Sequence, residues 1–278
     1  MSKGKRFKYG LMGAIGLGLL AGLLTTASVR SQQGPGEPQT ATVLRKEHPN
    51  GDEKNVQPSG KELDDAATPI VDFGASSPAE ADGQGTRRLK NARYDRYGSV
   101  KSDPAPQMGE VISFSHWQVG LSDLPADKSD LVVEAKVTDS QAFLSDDKTG
   151  VYSEFTVRVS KVWKTTPAVT VNKGDTLVTE RFGGRVRYPS GKIVRYLVDG
   201  QGSPMKGKKY LFFLARAEQG NYKLLTAYEL QGNKVFALDG SRINRWGRGN
   251  WTFDKHNGKD VNGFLEEVEQ AVQPRGAN

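Results

Sequence analysis

From Leu131 to Leu238 the chain is a succession of strand patterns with no helical period between them, and this narrows its possible folds more than any other feature. Leu131, Val133, Ala135 and Val137 alternate with Val132, Glu134, Lys136 and Thr138, the period of two of a half-buried strand. A polar loop, Gln141 to Gly150, leads to a long strand from Val151 to about Trp163. Phe155, Val157 and Val159 share one face of it, and Val162 breaks the parity. That break predicts a β-bulge near Ser160-Lys161 that bends the strand. Thr176 to Phe182 is the next strand, ended by Gly183-Gly184. Arg185 to Tyr188 and Lys192 to Val198 read as a hairpin, with Pro189 and Gly191 placed for a type I turn. Tyr210 to Ala215 is short, apolar and aromatic, as a strand buried on both faces would be. Tyr222 to Tyr228 and Lys234 to Leu238 follow, joined by Gln231-Gly232-Asn233.

These strands, with turn signals roughly every dozen residues, predict a mainly β domain. The bent second strand favours an antiparallel barrel of the oligonucleotide/oligosaccharide-binding (OB-like) type, because small barrels turn their corners with bulges. A β-sandwich of immunoglobulin kind is the alternative.

The succession SDLVVEAKVT, VYSEFTVRVSKVWK, GDTLVTERFGG, KGKKYLFFL and YKLLTAYEL, from Ser129 to Leu230, resembles an uncharacterised family of exported bacterial proteins with a small OB-like β-barrel. In architecture it is also similar to the barrels of tissue inhibitors of metalloproteinases and netrin modules. Those inhibitors act through an N-terminal cysteine and disulfides. This chain has no cysteine, so no inhibitory residue carries over. Lack of cysteine also excludes a disulfide framework, thiolate chemistry and a lipoprotein anchor.

Lys3, Lys5, Arg6 and Lys8 precede an uncharged run from Tyr9 to Val29. A basic flank before an apolar run is an export signal. Two fates stay open. Cleavage after about Ala27 gives a secreted or periplasmic protein, whereas retention gives a cytoplasmic-membrane anchor with the N-terminus inside. Both put everything after Arg30 outside the cytoplasm. Ser31 to Gln107 has few large apolar residues, consistent with the low mean hydropathy of −0.58, and reads as a disordered linker. Within it Arg87, Arg88, Lys90, Arg93, Tyr94, Arg96 and Tyr97 form a basic island. The expected organisation is therefore a signal or anchor at 1–30, a linker at 31–107 and a barrel domain at 108–278, with its core at 131–238. Val111 to Val119, with His116 and Trp117, reads as a short strand or an arm on the barrel.

Beyond the barrel, Asp260 is placed to cap a helix running to about Val272, with Val261, Leu265, Val268 and Val272 on one stripe. Asp254, His256 and Asp260 look faintly like metal ligands, but the calcium-loop spacing is missing and no metal is expected. The three histidines, His48, His116 and His256, are far apart, and no G-x-S-x-G, H-E-x-x-H, P-loop or dinucleotide fingerprint is present. The chain is expected to be non-enzymatic and to use no cofactor.

The net charge of +7 and pI near 9.4 suit anionic partners. Cations and rings interleave along the hairpin and its flanks, as Arg181, Arg185, Arg187, Tyr188, Lys192, Arg195 and Tyr196, and again in Arg245, Trp246 and Trp251. These are the candidate binding residues. The leading expectation is an exported or membrane-anchored module that binds an envelope protein or another envelope component. The alternatives are a binder of anionic polymer, either acidic glycan or extracellular nucleic acid, and a hydrolase without a recognisable motif.

Overall fold

A computed structural model of the chain describes residues 67–75, 85–96, 100, 111–114, 120–217, 221–240 and 252–273. The apolar N-terminal run, His48, His116, Trp117, Arg245, Trp246 and Trp251 lie outside the described residues. In chain order the elements are β1 (Ile70–Asp72), α1 (Gly85–Ala92), β2 (Val111–Phe114), β3 (Leu131–Leu144), β4 (Val151–Lys164), β5 (Thr176–Phe182), β6 (Gly184–Arg187), β7 (Ile193–Val198), β8 (Lys209–Arg216), β9 (Tyr222–Gln231), β10 (Lys234–Ala237) and α2 (Val261–Val272). Short 3-10 turns occupy Ala126–Lys128 and Thr252–His256.

Five strands close a barrel in the order β3–β4–β5–β9–β8 and back to β3. Four of its seams are antiparallel, and the fifth, β5 with β9, is parallel. The mainly β barrel read from the strand pattern is therefore the fold, and the sandwich alternative falls. The bulge is where the parity break put it. Glu134 faces Lys161 and Ala135 faces Val159, which leaves Ser160 as the extra residue. Its hydroxyl donates to the Glu134 carbonyl at 3.1 Å. Further register shifts at Trp163 and Thr138 bend the β3–β4 ribbon enough for β8 and β5 to take its two edges.

Inside the barrel lie Val133, Val137, Phe155, Val157, Phe212, Leu214 and Leu224. The opposite face of β8, Leu211 and Phe213, packs outside the barrel with Val132, Tyr228 and α2. The run Tyr210–Leu214 is thus buried on both faces, as its composition implied. The α2 helix begins at the expected cap, where the Asp260 carboxylate accepts the Asn262 and Gly263 N–H groups. Its most deeply buried residues are Phe264 and Val268. The expected stripe omitted Phe264, although it stands i+3 from Val261 and i−4 from Val268.

Two boundaries are corrected. Gln141 to Leu144 are strand rather than loop, and the turn is Ser145 to Gly150. Strand continues there because Ala142 packs among Val151, Val186 and Tyr196, and Phe143 beside Tyr94 and Tyr152. The second correction is larger. β1 and α1 both lie in the stretch read as a disordered linker. β1 adds in parallel to β6, and β2 adds in parallel to β7, making a small sheet in the order β1–β6–β7–β2. β1 is held by apolar packing as well as by its ladder, since Val71 and Phe73 pack against the cluster of Val186, Tyr188 and Tyr196. Among the described residues no helix is long and apolar enough to cross a membrane.

Truncating Phe264, which is fully buried, to alanine should cost about 3–5 kcal/mol. Asp260→Ala should cost about 1 kcal/mol through the lost cap. Urea denaturation of the full chain measures both.

Candidate functional site

Of the hairpin residues expected to bind, Arg181, Tyr188, Arg195 and Tyr196 are buried, Arg185 and Lys192 are half-buried and Arg187 is exposed. Arg181 points into the barrel, since Thr179 and Arg181 alternate with the outward Glu180 and Phe182. It makes a bidentate pair with Asp239, at 2.8 and 3.2 Å, and donates to the Gly202 carbonyl. Arg195 is buried opposite Arg185 in the β6–β7 ladder. Arg185 is half-buried and donates to the Thr68 carbonyl at 2.8 Å. Tyr188 and Tyr196 are buried with their hydroxyls 2.7 Å apart. Lys192 is half-buried, and Arg187, the one exposed member, pairs with Asp72 at 3.3 Å. The segment 67–73 accounts for much of this, because it lies against the hairpin and uses Arg185 and Arg187 to hold itself there. A small cleft lined by Thr68, Arg181, Arg195, Tyr196 and Ser203 has room for little more than a water molecule.

The described barrel concentrates its buried charge elsewhere, on the outer face of β4 and β5 beneath α1. Glu154 and Glu180 stand directly opposite each other across this ladder. Both are buried, and like charges so placed repel. α1 and the turn after it bring the cations. Lys90 Nζ lies 2.9 Å from Glu154, Arg87 pairs with the same carboxylate through both terminal nitrogens, and Arg93 reaches Glu180 at 2.9 Å. Tyr94 donates its hydroxyl to Glu180 at 3.1 Å and stacks on Tyr152, with centroids 4.3 Å apart. The Tyr152 hydroxyl donates to Asn91 at 2.7 Å, and the Asn91 amide donates to Asp146 at 2.7 Å. The Arg87 guanidinium also lies 4.0 Å over the Phe143 ring.

Burial pushes the Glu180 carboxyl above its ordinary value, and Arg93 and Tyr94 offset this only in part. Burial likewise raises both phenols, Tyr94 and Tyr152, so they stay protonated and act as donors. The turn between β3 and β4 grips the end of α1 from the side. Asp147 accepts the Arg96, Thr149 and Ser145 donors, which outweigh its burial and hold its carboxyl well below the carboxylate range. A Cβ on Gly150 would stand 2.2 Å from the Tyr94 carbonyl oxygen, so only glycine allows that approach.

The basic island was thus recognised but misplaced in a linker, and its partners Glu154 and Glu180 were missed. One signal was available. Arg87, Lys90, Asn91 and Tyr94 recur at i, i+3, i+4 and i+7, one face of a helix. The chemistry of the cluster is adhesive, since every acid in it is matched by a donor from α1 or its flanking turn.

A second buried group joins the chain beyond the barrel to the turn before β3. His256 is fully buried, with Nε2 3.0 Å from the Asp123 carboxylate and its ring against Tyr228 and Phe264. Lys255 pairs with the same carboxylate at 2.8 Å, and Glu267 stands 3.8 Å from Nδ1. Asp254 instead accepts the Asn257 amide at 3.0 Å, and Asp260 caps α2. The three faintly ligand-like residues are therefore turned to separate uses. Among the described residues no three His, Cys, Asp or Glu side chains gather to hold a metal ion.

Glu154→Ala leaves Lys90 buried without its carboxylate and should cost about 3–5 kcal/mol. It should also free α1, so that trypsin cuts at Arg87, Lys90 or Arg93 in the variant before it cuts the wild type. Burial holds His256 below its unfolded value of 6.5, against the opposing pull of Asp123. The unfolded chain then binds a proton that the folded chain refuses, and stability falls as pH drops through about 6.5. The melting temperature should be lower at about pH 5.5 than at about pH 7.5. In His256→Asn that fall should shrink, although the variant is less stable throughout.

A scan against protein-family models finds none that matches this chain, and a search of curated proteins finds no significant match.

Proposed function

We propose that the chain is an exported or membrane-anchored, non-enzymatic β-barrel module that binds a protein or another component of the cell envelope. The observation that carries this reading is how the described residues spend their buried ionisable groups. Glu154, Glu180, Asp239, Asp123 and His256 are each closed by a partner from another segment. Groups arranged in this way hold segments together, whereas an acid, base or nucleophile needs a face open to substrate. Placement outside the cytoplasm rests on the basic flank and apolar run of the N-terminus. The barrel adds support by analogy alone, because small five-stranded barrels present ligands on their outer faces and loops.

Two large apolar side chains are exposed among the described residues, Leu89 at 49% on α1 and Ile193 at 38% on the hairpin. They are the places at which to look for a partner. A photo-cross-linking side chain at either position, in cells that naturally produce the chain, should yield a discrete higher-mass adduct. The same substitution at Lys173, on the turn before β5, should yield none. Equal, diffuse labelling at all three positions would overturn the proposal.

A further inference from the structure

Around one outer edge of the barrel, cations are matched one to one with acids. Lys206 pairs with Asp139 and Lys208 with Glu229, each at 3.0 Å. Lys209 pairs with Glu134, which also accepts the Trp163 indole N–H at 3.1 Å. The Asp175 carboxylate accepts the Asn172 N–H at 2.8 Å. These acids are therefore already engaged.

Lys136 and Arg158 break the pattern. Across the β8–β3–β4 ladder Lys209 stands opposite Lys136, and Lys136 stands opposite Arg158. All three are exposed on the same outer face. Neighbouring strands are about 4.8 Å apart, so the three side chains are rooted in a short stripe across the sheet. Like charges directly opposite one another destabilise a sheet. Neither Lys136 nor Arg158 has an ion pair among the described residues. Lys161, the next cation along β4, lies 3.3 Å over the Trp163 ring and so covers the nearest aromatic face.

We propose that the stripe Lys209–Lys136–Arg158, with Lys161 at its margin, binds a phosphodiester-linked polymer through its backbone charges. Cations rooted on adjacent strands are best neutralised by a polymer that carries a charge on every unit. A nucleic-acid strand carries one charge per roughly 3.4 Å of helix axis. A glycan with a carboxylate on only some of its sugars is sparser. The face is an open sheet with its one ring covered, so it contacts phosphates rather than stacking on bases. The stripe shares no residue with the seat of α1, and this inference stands or falls apart from the envelope-partner reading.

The test is fluorescence anisotropy of a labelled oligothymidylate with the full chain, titrated over salt. Lys136→Ala/Arg158→Ala should weaken binding about tenfold or more. It should also flatten the dependence of log K on log salt by about 1.4, since each single-strand phosphate contact contributes about 0.7. Arg187→Ala/Lys192→Ala on the hairpin should change neither. Lys136→Glu places an acid between two cations. It should raise the melting temperature by about 1–4 °C while binding is lost. Unchanged affinity and salt slope in the stripe variant would overturn the proposal, as would loss of binding in the hairpin variant alone. Displacement by a polyuronate as effective as unlabelled oligonucleotide, at equal charge, would overturn the phosphodiester assignment. A lowered melting temperature in Lys136→Glu would show that the stripe is not a self-repelling surface.

Discussion

Closure of the barrel is the constraint on which the other elements depend, and bulges in one ribbon make it possible. β3 and β4 pair along almost their whole length, and the extra residues at Thr138, Ser160 and Trp163 turn that ribbon through the bend that closure needs. β8 then takes the free edge of β3, and β9 joins β8 to β5 through the short parallel seam at Thr179 and Glu180. Once the sheet is closed every barrel strand has an inner and an outer face. The inner face is filled by the barrel's own side chains. The outer faces need cover, and the rest of the described chain supplies it.

That cover is of two chemical kinds. Over β3, β8 and β9 it is apolar, with Phe264 and Val268 of α2 set against Val132, Phe213 and Tyr228. Burial there stabilises directly, in proportion to the apolar area removed from water. Over β4 and β5 it is ionic. Two carboxylates face each other, and α1 brings lysine and arginine to them. Buried pairs of this type offset their own desolvation and add little beyond it. What they supply is selectivity, because without those cations the β4–β5 face would hold two repelling charges. Lys136 opposite Arg158 is the same physics left uncovered by the described residues, with opposite sign.

Legibility followed the range of the interactions. The strands, the bulge at Ser160, the two-faced burial of Tyr210–Leu214 and the Asp260 cap all depend on neighbours within a few positions, and residue order alone conveys them. The same reasoning fell short at the hairpin. Period-two alternation tells which of Arg185, Arg187, Arg195 and Tyr196 share a face, but not that residues 67–73 lie against that hairpin. It failed again at Arg87 and Lys90, whose acidic partner Glu154 is more than sixty positions away along the chain.

The sequence by itself determined that this is a strand-built domain with a bent second strand and a docked C-terminal helix. Those properties come from backbone geometry and the alternation of apolar side chains, which are local. Only the tertiary structure decided that the strands close into a barrel, and that a basic stretch poor in apolar residues would be ordered against its wall. It also decided which cations serve as internal ties and which remain on the surface. The reason is that a charge takes its role from the nearest opposite charge in space, and here those partners come from distant parts of the chain.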